Sequence, residues 1–361
     1  MKSRGNMNHV IDGFVPESGL HCITASIKQV FHYHGLRISE EMIFGLSSML
    51  GFMYFDYKNM PTPMIGGRGK IGEMEENLAI RLGIKIESRE TASTKKAYDR
   101  LKELIESGEP VVVYADMYYL PYFEFPEEFH FGGHSIVVFG INEDENLALV
   151  SDRDGEGHPV TLNENETPRD YHKIQLDSLA KARGSKEKPY PPKNRWLEFD
   201  LAGVRPVDRD MIFEAIVEDA HGFLNPPIKN LGIKGIEHFA QRIFDWNEFD
   251  DRALRAAAFN AFIMINERGG TGGGCFRRMY GNFLAESGEK LNSEFLRSAG
   301  KSYLRISETW DQIGDKLHEM ASTANRGLTA DISETLNLIH IKEKELMTQL
   351  LEYVKSNPCC K

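Results

Sequence analysis

Near residue 207 the hydrophobic period of this chain changes, and that change limits its fold more than any other feature. Before it, short β-branched runs alternate with amphipathic helical stretches. After it, only helical periodicity remains, over 210–220, 235–244, 251–266, 294–320 and 330–354. The fourth is expected to be interrupted, and the last sets Ile332, Leu336, Ile339, Leu346 and Leu350 on one stripe. The earlier part places helices first and mostly antiparallel strands later, which is an α+β order. The expected architecture is an α+β catalytic domain over 1–204, an all-α substrate or lid domain over 205–355, and a flexible tail over 356–361. At 361 residues and 41% hydrophobic content, the chain is long enough for both cores.

The net charge of −11 argues against a general nucleic-acid or anionic-membrane binder, because both need basic surface. No apolar run approaches the ~18 residues of a membrane span or resembles a signal peptide, so a cytoplasmic location is expected. The four cysteines, Cys22, Cys275, Cys359 and Cys360, show no zinc-ligand spacing and no disulfide framework. Asp152-Arg153-Asp154 has no complementary ligand cluster, and no metal is expected there.

Cys22 follows the loop Ser18-Gly19-Leu20-His21 and opens a helix whose apolar face is Ile23, Ile27, Val30 and Phe31, ended near Gly35. A thiol in the first helical turn meets the positive end of the macrodipole, which favours the thiolate. The bland alternative is a small buried hydrophobe. A second helix is expected from Ser39-Glu40-Glu41, a strand over 51–57, a loop over 58–70, helices over 73–82 and 94–105, and a buried strand over 110–115. Two further strands, 132–141 and 147–152, read as a hairpin. His134 heads the first after Gly132-Gly133, and Asp152 ends the second. A cysteine nucleophile needs an imidazole as base and a third group to orient it, and these three residues arrive in that order. Tyr118, Tyr119, Tyr122, Phe123, Phe125, Phe129 and Phe131 form an aromatic loop. It reads either as the lining of an acyl pocket or as core packing beneath a loop.

The surroundings of Cys22 with Tyr33-His34-Gly35, and the run Gly133-His134-Ser135-Ile136-Val137-Val138-Phe139-Gly140, resemble the bacteriocin-leader peptidases of the papain clan. They are more similar to the butirosin biosynthesis protein H-like acyltransferases, in which His-Cys replaces the Asp-Cys-Gly of the peptidases. The later glycine loop 269–274, followed by Phe276-Arg277-Arg278-Met279-Tyr280, extends the resemblance over most of the chain. It implies a papain-like catalytic domain that takes an acyl group from an acyl or peptidyl carrier-protein thioester onto Cys22. A small-molecule amine then accepts it, forming an amide in secondary-metabolite or antibiotic biosynthesis. No cofactor of its own is implied, since phosphopantetheine rides on the carrier.

On that reading Gly272, Gly273, Arg277, Arg278 and Tyr280 are candidates for contacting substrate or the phosphopantetheine phosphate. The loop lacks the Gly-Lys-Ser/Thr ending of a P-loop, and a tight helix crossing is the alternative. Six basic residues against one acid between 181 and 195 form a candidate dock for an acidic carrier, with a solvated loop as the alternative. Papain-clan peptidases carry an oxyanion-hole Gln about six residues before the cysteine; here Pro16 stands there. The N–H of Cys22 supplies one donor, and His21, Ser18 and Asn8 are candidates for the second. The missing Gln favours a thioester substrate over a peptide amide. A cysteine peptidase or amidase, and a non-catalytic binding protein on the same fold, are the alternative functions.

Overall fold

The computed structural model describes residues 8–57, 60, 62–69, 72–123, 130–152, 171–188 and 190–358. In chain order its elements are β1 (Asn8–Val10), α1 (Cys22–Tyr33), α2 (Glu40–Leu46), β2 (Leu50–Phe55), β3 (Met64–Arg68), α3 (Met74–Leu82), β4 (Lys85–Arg89), α4 (Thr94–Glu106), β5 (Val111–Ala115), β6 (His134–Asn142), β7 (Leu147–Ser151), β8 (His172–Gln175), α5 (Leu176–Gly184) and β9 (Trp196–Asp200). There follow α6 (Arg209–Leu224), α7 (Gly232–Arg242), α8 (Asp251–Ile265), α9 (Arg277–Lys290), α10 (Glu294–Thr323) and α11 (Leu328–Ser356). The fold is α+β, with a sheet-bearing N-terminal part and a helical C-terminal part.

The chain packs as two compact units, and the first is discontinuous: residues 1–40 with 84–202. The second joins 41–83 to 203–361. Contacts thus group 41–83 with the helical region, whereas continuity along the sequence had placed it in a domain over 1–204. From 205 onward every described element is helical.

In the first unit, β4, β9, β5, β6, β7 and β8 lie side by side in that order, and β1 adds to β6. Every pairing is antiparallel. All five residues of β5 and the first eight of β6 are buried, which suits their Val/Ile content in a central strand. α1 packs on this sheet through Ile23, Ile27, Val30 and Phe31, each 4% exposed or less. Each such side chain contributes roughly 1.5–3 kcal/mol of burial. β1 and β8 lie where the sequence shows only an irregular lead-in and an unassigned stretch. Three- and four-residue strands carry too little pattern to be read without their partners.

In the second unit, β2 and β3 form an antiparallel hairpin. β3 falls inside the expected loop over 58–70, because its Gly66-Gly67 reads as punctuation. Gly67 stands there because a Cβ would lie 2.3 Å from the Cys275 carbonyl oxygen. α10 runs 30 residues without the expected interruption. α9, a helix not anticipated, crosses it closely: a Cβ on Gly300 would sit 2.7 Å from the Gly281 oxygen.

Candidate active site

The hairpin of β6 and β7 assembles half of the site. Val137 pairs with Ser151, so Asp152 emerges beside the start of β6, where His134 stands. The Asp152 Oδ2 accepts a hydrogen bond from His134 Nε2 at 2.6 Å. It also accepts one from the Tyr122 hydroxyl at 2.9 Å. Both members of the pair are buried, His134 at 2% and Asp152 at 4% exposure. Phe123 meets the His134 ring edge-on, 5.5 Å between centroids, and His172 stacks on Tyr122 at 3.8 Å.

α1 brings the other half. Cys22 is a free, half-buried thiol in the first turn, and it hydrogen-bonds His134. With Nε2 committed to Asp152, that bond falls to Nδ1. Burial lowers the His134 pKa, but the Asp152 charge and hydrogen bond, joined by Cys22, outweigh it and bring the imidazole up to about 9. The ring is held as an imidazolium at neutral pH, the state that stabilises a neighbouring thiolate.

The loop before Cys22 is pinned at several of its backbone groups. The α1 N-cap, His21, makes no side-chain cap bond. Glu40 replaces that cap: its carboxylate accepts from the Leu20 N–H at 2.9 Å, the His21 N–H at 2.8 Å and the Thr24 hydroxyl at 2.7 Å. Lys28 Nζ donates to the Ser18 carbonyl at 2.7 Å. Gln29 accepts from the Glu17 N–H and from the Ser151 hydroxyl, the latter at 2.6 Å, tying α1 to the residue before Asp152. Glu40 and Gln29 were missed because each acts through partners far along the chain, and neither position carries a local motif. A Cβ at Gly19 would lie 2.3 Å from the Ala25 Cβ, so only glycine lets the loop close on α1.

Cys22, His134 and Asp152 therefore meet. The other candidates fare differently. The His21 ring Nδ1 lies 3.2 Å from Thr24 Oγ1, whose proton is directed to Glu40. The His21 ring is thus engaged with the first turn of α1. Ser18 enters the described contacts through its carbonyl. Asn8 pairs with Asn142 at the end of β6 remote from His134. Eight residues of strand separate them by roughly 26 Å, so Asn8 is not an oxyanion donor.

Tyr122 and Phe123 are buried against Asp152 and His134; they support the pair instead of lining an acyl pocket. Tyr118 is exposed and Tyr119 half-buried, both beside the His130 ring. Phe125 and Phe129 lie outside the described residues, as do Arg153 and Asp154.

The phosphate-contact reading of the glycine loop fails on its own amides. Gly272, Gly273, Gly274, Cys275 and Phe276 all have φ between 54° and 93°, a left-handed turn whose N–H groups are used internally. The Gly273 N–H goes to Thr271 and the Cys275 N–H to the Ile265 carbonyl. The Gly274 N–H goes to Asp311, which also takes Arg278. A carboxylate of the chain itself thus fills the place a phosphate would take. Arg277 is fully buried and forked onto Glu343 at 2.7 and 2.9 Å, and Tyr280 is wholly buried. These residues build the core of the second unit.

The basic strip thins in the same way. Arg183 is buried with its guanidinium on the Ala97 carbonyl, and Arg195 stacks on Tyr114 at 3.7 Å. Lys181, Lys186, Lys188 and Lys193 remain exposed, the last 3.8 Å from Glu90.

A helix-borne cysteine facing a carboxylate-oriented histidine, on a helix-then-antiparallel-sheet scaffold, places the first unit in the papain-like class of folds. Residues 21–153 match the family model for butirosin biosynthesis protein H, N-terminal, and residues 177–350 match a domain of unknown function (DUF4872). Residues 21–153 thus carry a domain of the butirosin biosynthesis protein H N-terminal type. That match supports a biosynthetic, acyltransferase-like role. No curated protein matches the chain. No helix among the described residues is long and apolar enough to cross a membrane.

Proposed function

We propose that this protein is a cysteine-dependent acyltransferase that moves an acyl group from a carrier-protein thioester to an amine through an acyl-Cys22 intermediate. The observation that carries the reading is the half-buried Cys22 beside the buried His134–Asp152 pair, with the imidazole held cationic beside the thiol. The Cys22 thiolate attacks the thioester carbonyl, and the Cys22 N–H at the head of α1 donates to the developing oxyanion. The carbon–sulfur bond to the carrier breaks, and the phosphopantetheine thiolate leaves with the proton of the His134 imidazolium. The now neutral His134 takes a proton from the incoming amine as nitrogen attacks the acyl-enzyme. The amide departs, and thiolate and imidazolium are restored. A thiolate leaves more readily than an amine, so a missing oxyanion donor costs less against a thioester than against a peptide amide. The phosphopantetheine belongs to the carrier, and Lys181, Lys186, Lys188 and Lys193 are exposed cations available to an acidic carrier surface.

Intact-mass spectrometry after incubation with a simple acyl thioester tests this. An adduct of one acyl mass should form on the native chain and be missing from Cys22→Ala. Added amines should then discharge it to amide faster than water yields acid. Discharge to acid with no preference for amines would instead support a hydrolase.

A further inference from the structure

Glu40 stands at the base of the nucleophile loop as a buried carboxylate, 4% exposed, and all three of its described hydrogen-bond partners are donors. Burial raises the Glu40 pKa above the ordinary carboxylate value, while the Leu20, His21 and Thr24 hydrogen bonds and Lys28 work to lower it. The ionised form accepts from all three donors, whereas a neutral amide in its place would turn its NH₂ toward an N–H. Two of the donors are the backbone amides of the residues immediately before Cys22. The third, Thr24, lies in the same first turn of α1. The carboxylate therefore holds both flanks of the nucleophile. A negative group at a helix N-terminus is favourable for the helix. For a thiolate one residue further on it is unfavourable, because like charges at short range disfavour each other's ionised form. Of the charged and titratable groups around it, Lys28 acts on Glu40, the His21 ring meets Thr24, and His134 faces Cys22.

We propose that Glu40 is the positioning residue of the nucleophile: it fixes the Leu20 and His21 amides, and so aims the Cys22 N–H and Sγ, and it sets a negative charge against the thiolate. The consequence for chemistry is that the His21 and Leu20 amides are spent on Glu40 and do not serve the oxyanion. The consequence for reactivity is a thiolate made more basic, hence more nucleophilic, than the dipole and His134 alone would leave it. The role in acyl transfer rests on the reading above; the effect on the thiol does not.

Two variants of the full-length chain separate charge from reach. In Glu40→Gln the anion is removed, and the midpoint of the pH profile for Cys22 alkylation by iodoacetamide should fall by about one pH unit. Acylation by thioester should slow by about tenfold or more, because the loop loses its anchor. In Glu40→Asp the charge stays but the carboxylate recedes by one methylene, so the alkylation midpoint should hold while acylation slows. Rescue of the midpoint by Asp is not expected of a merely structural residue, whose loss would change the fraction folded without moving the midpoint. An unmoved midpoint in folded Glu40→Gln overturns the proposal, as does wild-type acylation by Glu40→Asp. If Glu40→Gln does not fold, the Asp variant alone decides: an alkylation midpoint shifted from wild type contradicts the charge assignment. Should wild-type Cys22 take no acyl group at all, the acyltransferase reading fails, and the alkylation midpoints still judge Glu40.

Discussion

His134 titrates against its surroundings, and the sign of its shift makes a pH prediction. Burial lowers it, but Asp152 and Cys22 bring it up to about 9, above its ordinary 6.5. Its contribution to stability is therefore complete below about pH 6.5 and is lost as the pH climbs through about 9. Over that window the linked stability amounts to about 3 kcal/mol. Denaturant midpoints measured from pH 6 to 10 should decline over this range in the native chain, and the decline should be much smaller in His134→Gln. The proposed reaction has the same limb: acylation of Cys22 should fall above about pH 9, where the ring no longer holds a proton for the departing thiol. The residues of this site differ in how readily their types betray them. A cysteine at a helix start, a histidine heading a strand and an aspartate closing the next advertise themselves by type and order. Glu40 and Gln29 do not, since an acid at a helix start and a glutamine in a helix have ordinary uses. Their roles come from partners 12 to 122 positions away.

Among the elements, α1 with its preceding loop is the most exacting. A methyl group at Gly19 would collide with Ala25 and approach Glu40 Oε2 to 2.8 Å, and both neighbours belong to the anchored turn. Gly19→Ala should destabilise the chain by about 1–3 kcal/mol in chemical denaturation, and slow Cys22 alkylation as the turn shifts. In the second unit Arg277 plays the corresponding part. It forks onto Glu343 of α11 and donates to the Gly51 carbonyl of β2 and to the Cys275 carbonyl of the left-handed turn. Glu343→Gln strips the charge partner from a fully buried guanidinium and should cost about 3–5 kcal/mol. Arg277→Met combined with Glu343→Leu should recover much of that loss, because an apolar pair leaves no charge unpaired. The glycine-rich stretch 269–274 packs against α10 through Gly274, where a Cβ would lie 2.3 Å from the Ser307 hydroxyl oxygen. Left-handed φ values explain the glycines at 272–274, and internal acceptors explain where their amides go.

The division of the whole molecule follows contacts, not chain order. The hairpin of β2 and β3 lies within 41–83, yet its partners are α6, α7 and α8. The Tyr54 N–H donates to the Asn230 carbonyl, Asn230 Nδ2 donates to the Tyr54 carbonyl, and Trp246 Nε1 donates to the Tyr54 hydroxyl at 3.2 Å. A chain cut at residue 204 would strip the helical region of these partners and of the carbonyl that Arg277 binds. A 205–361 fragment should therefore show non-cooperative melting by circular dichroism and rapid proteolysis. Adding the 1–204 fragment in trans should restore protection.

The α+β class, the run of helices after residue 207 and the order of cysteine, histidine and aspartate were all present in the sequence, because hydrophobic period and residue type are local properties. The placement of 41–83, the capping of the nucleophile loop by Glu40, the loss of Asn8 from the site and the sequestering of Arg277 were decided only in three dimensions. Each depends on which distant groups compete for the same donors and the same space, and no window along the chain contains both competitors.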